Sequence, residues 1–259
     1  MRTLVLAAAL VASLGCGTPE ARLRERFASG RGRIVLPAGV TEVSAELAVP
    51  AGARDVEVVG APGGSLLRAS NSFRGRAILR VEGASNVRLS GFSIDGNRAG
   101  LEKRSGLPPS DTPFSRFTEA NGILAEGVEG LTITDVGFRN VAGFAVLAAR
   151  SKSVRIERIQ IEDSGSRNAL GRNNTTGGIL LEEGVAEFQV LECSFRNVRG
   201  NGVWTHSLYT SPRSRDGLIA NNRFENIGRD AIQTGHAEGV RVENNSGNHI
   251  GYPFDVVDM

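Results

Sequence analysis

The sequence has little cysteine. Cys16 and Cys193 are the only two in 259 residues, so neither a disulfide framework nor a cysteine-rich metal site can be built. Aromatic residues make up 5% of the chain, and Trp204 is its one tryptophan. Neither sign of charge dominates. Thirty Lys+Arg against 28 Asp+Glu leave a formal net charge of +2, which provides no electrostatic footprint for nucleic acid. No apolar run is long enough to cross a bilayer: Leu4 to Ala12 spans about nine residues, where a helical crossing needs about 20. At 40% hydrophobic and 22% charged, the composition also excludes a disordered chain. Glycine is the abundant residue, with 33 copies, about 13% of the chain and near twice common usage. With many Val, Ile and Leu and few aromatics, this predicts many short strands joined by tight turns.

The first residues read as an address. A charged start, Met1-Arg2-Thr3, precedes the short apolar run, and Ser13-Leu14-Gly15-Cys16 follows. This segment resembles a bacterial lipoprotein signal, which implies removal of residues 1–15, lipidation of Cys16 and export to the periplasm, outer membrane or cell surface. Ser13 stands where that family prefers leucine. Ordinary secretion and a buried N-terminal strand are the alternatives. A membrane contact is expected only through the lipid on Cys16. Residues 16–31 read as a linker and a short capping helix, with Pro19 at its start and Gly30 after it.

Beyond that point the chain repeats. The apolar positions of Leu131-Thr132-Ile133-Thr134-Asp135-Val136-Gly137-Phe138 return one for one in Val154-Arg155-Ile156-Glu157-Arg158-Ile159-Gln160-Ile161, about 23 residues on. Phe188, Val190, Cys193 and Phe195 repeat the pattern later; Val87, Leu89, Phe92 and Ile94 show it earlier. Each unit holds two alternating strands, a polar turn such as Phe195-Arg196-Asn197-Val198, then a glycine and a third strand such as Gly202-Val203-Trp204-Thr205. A unit this short cannot bury its own apolar face, so successive units must stack. Asn140, Asp163, Asn197, Asn226 and His249 share one phase of the repeat, which predicts a ladder of stacked side chains at about 4.8 Å spacing. Cys193 is expected to be a small buried hydrophobe.

With these features residues 22–259 resemble the right-handed parallel β-helix proteins of the pectate-lyase-like superfamily. Gly32-Arg33-Ile34-Val35-Leu36-Pro37-Ala38-Gly39-Val40 is similar to its first-coil motif, and Gly91-Phe92-Ser93-Ile94-Asp95-Gly96-Asn97 to its mid-chain turn. The resemblance implies an all-β fold of one domain, residues 32–259, with three parallel sheets and seven or eight coils. An antiparallel sandwich would instead need hairpin turns and no fixed register. The apolar end Phe254 to Met259 lacks a polar cap, which predicts a chain truncated there or a last coil paired with another chain.

Three segments break the register: residues 98–120, 165–177 and 207–216. All border the Gly-Ile-Leu type of strand, so they are expected to wall a groove. In the resembled superfamily, saccharide clefts commonly run along one sheet between such loops, which implies a polysaccharide partner. Period 2 then places Leu124, Leu147, Leu180, Trp204 and Gln233 outward, with Glu126, Ala149, Glu182 and His206 in the next column. Arg150, Glu183 and His236 lie just past it. Trp204 is expected either as an exposed stacking platform for a sugar or as local core under the 207–216 loop. Glu126, Gln233, His236, Arg150 and Tyr209 are further candidate binding residues. His206 is the candidate base of a lyase or epimerase, oriented by Glu182, with Arg213 or Arg215 as the cation that steadies developing charge. In a hydrolase, Glu182 would act with Asp216 or Asp230. Gly235-His236 is similar to the glycine-histidine pairs of polygalacturonases, but their paired aspartates have no match, because Arg229 precedes Asp230. No cofactor is expected. A calcium site built from Glu126, Glu182 and Glu183 has no signature. The rival class is a non-catalytic polysaccharide-binding or cell-surface adhesion module, because fold alone does not give function.

Overall fold

The computed structural model describes residues 18–104, 106–173 and 176–251. The signal segment, Cys16 and the apolar end at residues 254–259 lie outside the described residues. Among the described residues every pairing of named strands is parallel, and the only antiparallel contact is an isolated bridge between Arg167 and Asn173.

The chain winds around three walls. The first wall contains Asn121–Glu126, Val146–Ala149, Ile179–Glu182, Val203–His206 and Ile232–Thr234. The second is an eight-stranded sheet that includes Glu129–Thr134, Lys152–Glu157, Ala186–Leu191, Ser214–Ala220 and Ala237–Glu243. The third includes Gly137–Arg139, Gln160–Glu162, Ser194–Val198 and Arg223–Ile227. Eight rungs agree with the expected coil number. The first and third walls are joined into one sheet of 13 strands by Ser65–Glu82, a long strand that runs through their corner without a break.

Register follows the sequence repeat. Leu131 pairs with Val154, which pairs with Phe188 on its other side. Alternation explains the core: Val154 and Ile156 point inward and are buried, whereas their neighbours face out. The phenylalanines of the third wall stack along the axis, with the Phe195 and Phe224 rings 4.6 Å apart and nearly parallel. At one end the helix Pro19–Ala28 covers the first coil with Leu23 and Phe27; the Thr18 hydroxyl caps it by accepting from the Ala21 amide at 3.2 Å.

The shared phase of Asn140, Asp163, Asn197, Asn226 and His249 is a column of left-handed residues, with φ from +52° to +56°. A single left-handed residue turns each coil from the third wall toward the first, and asparagine and aspartate tolerate that conformation best after glycine. The expected ladder is only partial. Asn226 donates to the Asn197 amide oxygen at 2.7 Å, but the column is held chiefly by its backbone. A second amide ladder, absent from the sequence reading, lies buried at the corner after the second wall. Asn222 accepts from the Cys193 amide and donates to Asn245, and Asn245 donates to the Ile219 carbonyl. Cys193 holds this position one coil earlier, buried as expected, and burial pushes its thiol pKa up to about 12.

Candidate functional site

The outward columns of the first wall form as the period-2 reading predicts. Trp204 pairs with Leu180 on one side and Gln233 on the other, and His206 pairs with Glu182. Their surroundings differ from expectation. Leu124, Leu147, Leu180 and Trp204 are buried and join Ala77, Phe114, Phe144 and Ala149 in a second apolar cluster outside the β-helix. The short helix Phe114–Phe117, from the 98–120 insertion, plugs this face. Phe114 packs edge-on against Trp204, with ring centroids 5.1 Å apart. Trp204 is 8% exposed, so the open stacking platform is corrected. The residue is local core, and its cover is the 98–120 insertion instead of the 207–216 loop. Its indole N–H meets no acceptor among the described residues, and Nε1 lies 3.8 Å from where a Cβ on Gly235 would stand.

The plug is fastened by Glu182. Its carboxylate accepts the amides of Phe114 at 3.0 Å and Ser115 at 2.7 Å, and the residue has no exposed surface. Burial pushes its pKa up, against the pull of the Ser115 and Phe114 donors. The catalytic reading of Glu182 is therefore corrected: the carboxylate is a clamp on the plug, and no hydrogen bond joins it to the imidazole among the described residues. Glu183 follows in the left-handed conformation (φ +58°), which turns its side chain the other way. It accepts from the Leu208 amide at 2.8 Å and from the Ser211 hydroxyl. Two consecutive carboxylates thus each pin one of the insertions bordering the wall. Sequence reasoning missed this role, although paired glutamates at a strand end between two insertions were a usable signal.

His206 sits half-buried beside the plug. Its ring lies tilted on Trp204 at 4.9 Å between centroids, with edge contacts to Phe114 at 5.8 Å and His236 at 5.4 Å. The imidazole has no hydrogen bond among the described residues. Burial and the charge of His236 hold its pKa below the ordinary imidazole range, despite the pull of Glu183, so the ring is neutral near pH 7. His236 stands at a left-handed turn (φ +46°) with Nδ1 buried and unpartnered, and its carbonyl accepts the Ser214 amide at 3.1 Å. Tyr209, on the next loop, is 94% exposed and meets His236 edge-on at 4.8 Å. Gln233 accepts from the Asn201 amide at 2.6 Å. Asp230 is half-buried at the corner before Ile232–Thr234, and its amide donates to Asn201 at 3.1 Å. Arg213 is exposed on the loop and makes no ion pair among the described residues.

The remaining candidates lie elsewhere. Asp216 and Arg215 belong to Ser214–Ala220 on the second wall, around the corner from His206, and pair with each other at 2.8 Å. This corrects both assignments and separates the proposed Glu182–Asp216 hydrolase pair. Glu126 and Arg150 are ion-paired, and Glu126 also meets Arg76 at 3.3 Å. They form an ionic edge on the earlier coils, next to a plug that Arg76 touches through the Ser115 carbonyl at 3.0 Å. Among the described residues no three metal-ligating side chains gather. Glu126, Glu182 and Glu183, the trio considered for calcium, are each bonded to other groups. A cleft of about 470 Å3 opens where first-wall strands begin, lined by Phe73, Arg74, Phe117, Glu119 and Ser166 among others. His206 lies where those strands end, so this cleft and the imidazole edge are separate features.

Residues 77–258 match the family model described as right-handed beta helix region. No curated protein matches the sequence. Among solved structures, the catalytic domain of a GH87 α-1,3-glucanase in complex with tetrasaccharides superposes with a TM-score of 0.64 at 16% identity, over 90% of this chain and 38% of that one. A polygalacturonase from Erwinia carotovora ssp. carotovora gives 0.63 at 15% identity, over 91% of this chain and 75% of that one. The ORF18 protein of Geobacillus virus E2 gives 0.63 at 14% identity, over 85% of this chain and 42% of that one. The chain therefore spans about four-tenths of the viral protein and of the glucanase domain. These likenesses concern the fold, and with the match over residues 77–258 they establish that the chain belongs to the right-handed β-helix family.

Proposed function

We propose that this chain is an exported protein, lipid-anchored through Cys16, that binds a polysaccharide at the edge of the first wall where its strands end. An acidic sugar would lie against Gln233, His236 and the exposed ring of Tyr209. The single observation that carries the reading is the His206 imidazole, neutral at pH 7 and free of protein hydrogen bonds among the described residues. Such a ring acts as a base toward the proton beside a uronate carboxylate. In β-elimination the C–H electrons form the new C=C bond, and the glycosidic oxygen departs and takes a proton. In epimerisation a proton returns from the opposite face. Arg213, exposed and without an ion pair among the described residues, would steady the charge that develops on the carboxylate. The polygalacturonase and α-1,3-glucanase folds support a saccharide partner. With Glu182 sealed and Asp216 on another wall, a glutamate–aspartate hydrolase mechanism has no support.

The test is incubation with oligogalacturonate, alginate and a neutral glucan, followed by ultraviolet absorbance for unsaturated product and proton exchange for epimerisation. His206→Ala should abolish turnover while leaving the fold intact. Binding with no turnover of any glycan would identify the non-catalytic module instead. Cys16→Ser should release the protein from the membrane fraction.

A further inference from the structure

The bend between the third and first walls carries a second polar site, on the strand-start edge. Asp163, Asn197, Asn226 and His249, from the left-handed column, border a cleft of about 540 Å3 that Arg98, Arg167 and Arg199 also line. Arg98 comes from one insertion, Arg167 from another and Arg199 from a coil bend, so three separate segments bring guanidinium groups together. Arg98 donates from Nη1 to the Asp163 and Gly165 carbonyls. Arg199 Nη1 donates to Glu102 at 2.9 Å, and the same carboxylate oxygen accepts the Arg167 amide at 2.7 Å. Arg98 is thus held through backbone carbonyls and Arg199 through the Glu102 carboxylate. The Nε and Nη2 groups of Arg98 and Arg199 meet no acceptor among the described residues. Burial, with the nearby charges of Arg199 and Arg167, holds the Arg98 guanidinium below its ordinary pKa despite Asp163 and Glu102. An incoming oxyanion would relieve that crowding.

We propose that this cleft binds the oxyanions of an acidic saccharide, a uronate carboxylate or a sulfate ester, in the free forks of Arg98 and Arg199. Guanidinium forks match planar carboxylate and tetrahedral sulfate oxygens with two parallel hydrogen bonds. Asn197, Asn226 and His249 succeed one another coil by coil along the axis, a row of hydroxyl-binding side chains beside the forks. A polymer would follow that row. The site does not depend on the His206 reading, because the two features lie on opposite edges of the first wall.

Calorimetric titration tests it with three probes of similar length: oligogalacturonate, a sulfated dextran oligomer and unsubstituted dextran. One or both of the anionic probes should bind, with affinity falling as salt rises, and dextran should bind at least about tenfold more weakly. Which anionic probe binds distinguishes carboxylate from sulfate ester. Arg199→Gln, and the double variant Arg98→Gln/Arg199→Gln, should weaken anionic binding by about tenfold or more. Because Arg98 also holds two carbonyls, a misfolded double variant is replaced by competition on the wild-type protein, where inorganic sulfate should displace the bound oligomer. Equal binding of dextran, indifference to sulfate, or an Arg199→Gln variant that binds like wild type overturns the proposal. Loss of all binding in His206→Ala with none in Arg199→Gln overturns it while sparing the first-wall site.

Discussion

Replacing Glu182 tests whether the plug over the first wall is held by one buried carboxylate. In Glu182→Ala, the amides of Phe114 and Ser115 lose their acceptor. Leaving both donors buried and unpaired costs about 1–3 kcal/mol each, or about 4 kcal/mol together. Lifting the plug into water satisfies both donors and forfeits chiefly the burial of Phe114, about 1.5–3 kcal/mol. Lifting is the cheaper response, so the variant should lose about 2 kcal/mol of stability and expose the face beneath. Trp204 lies on that face 5.1 Å from the Phe114 ring and is the only tryptophan in the chain. Its emission therefore reports the plug directly. Glu182→Ala should shift the emission to the red and open it to acrylamide quenching before global unfolding. Glu182→Gln keeps one acceptor but sets an NH2 against the other amide, and should lose about 1 kcal/mol with a smaller shift. The pH dependence has a definite sign. Burial raises the folded pKa of Glu182 above its unfolded value, so its titration lowers stability as pH rises through the folded pKa, and Glu182→Gln removes that slope. An alanine variant with unchanged emission and a quencher-resistant Trp204 would refute the clamp.

Two further measurements bear on the site and the core. His206 should titrate by NMR below the ordinary imidazole midpoint of 6.5, and any turnover that depends on it should persist as pH falls through that value. Because the unfolded ring then binds protons more readily than the folded one, the His206 contribution to stability should decline as pH drops from about 6.5 toward the folded pKa; a midpoint at or above 6.5 contradicts the burial argument. Cys193, buried with its pKa pushed up to about 12, should resist alkylation in the native protein and react only at the rate of unfolding; rapid labelling of the folded chain would show that the corner is open.

Much of the architecture was legible because stacking forces a periodic solution. The 23-residue spacing of Leu131 and Val154 became a hydrogen-bonded pair, and the shared phase of Asn140, Asn197 and Asn226 became a column of left-handed turns. The misplacement of Asp216 was avoidable on the same logic. Asn86, Gly130, Ser153, Glu187, Asp216 and Gly239 each precede a residue at the first inward position of the second wall and share positive φ. Asp216 therefore belonged to a strand, although it read as part of an insertion. The destinations of Glu182 and Trp204 had no such signal. Both depend on Phe114, which is 68 residues from Glu182 in the chain, and an irregular insertion carries no period from which to read its contacts.

The sequence alone determined the stacked coil, its register, the inward residues and the outward columns of the first wall, because a short repeating unit can bury its apolar face only by stacking on its copies; the right hand came from the resemblance. Tertiary structure alone decided which columns see solvent. Insertions fold back by long-range contacts that outweigh local pattern. One plug therefore turned a tryptophan and a glutamate into core and left a half-buried imidazole at its margin, while a cluster of arginines gathered on the opposite edge.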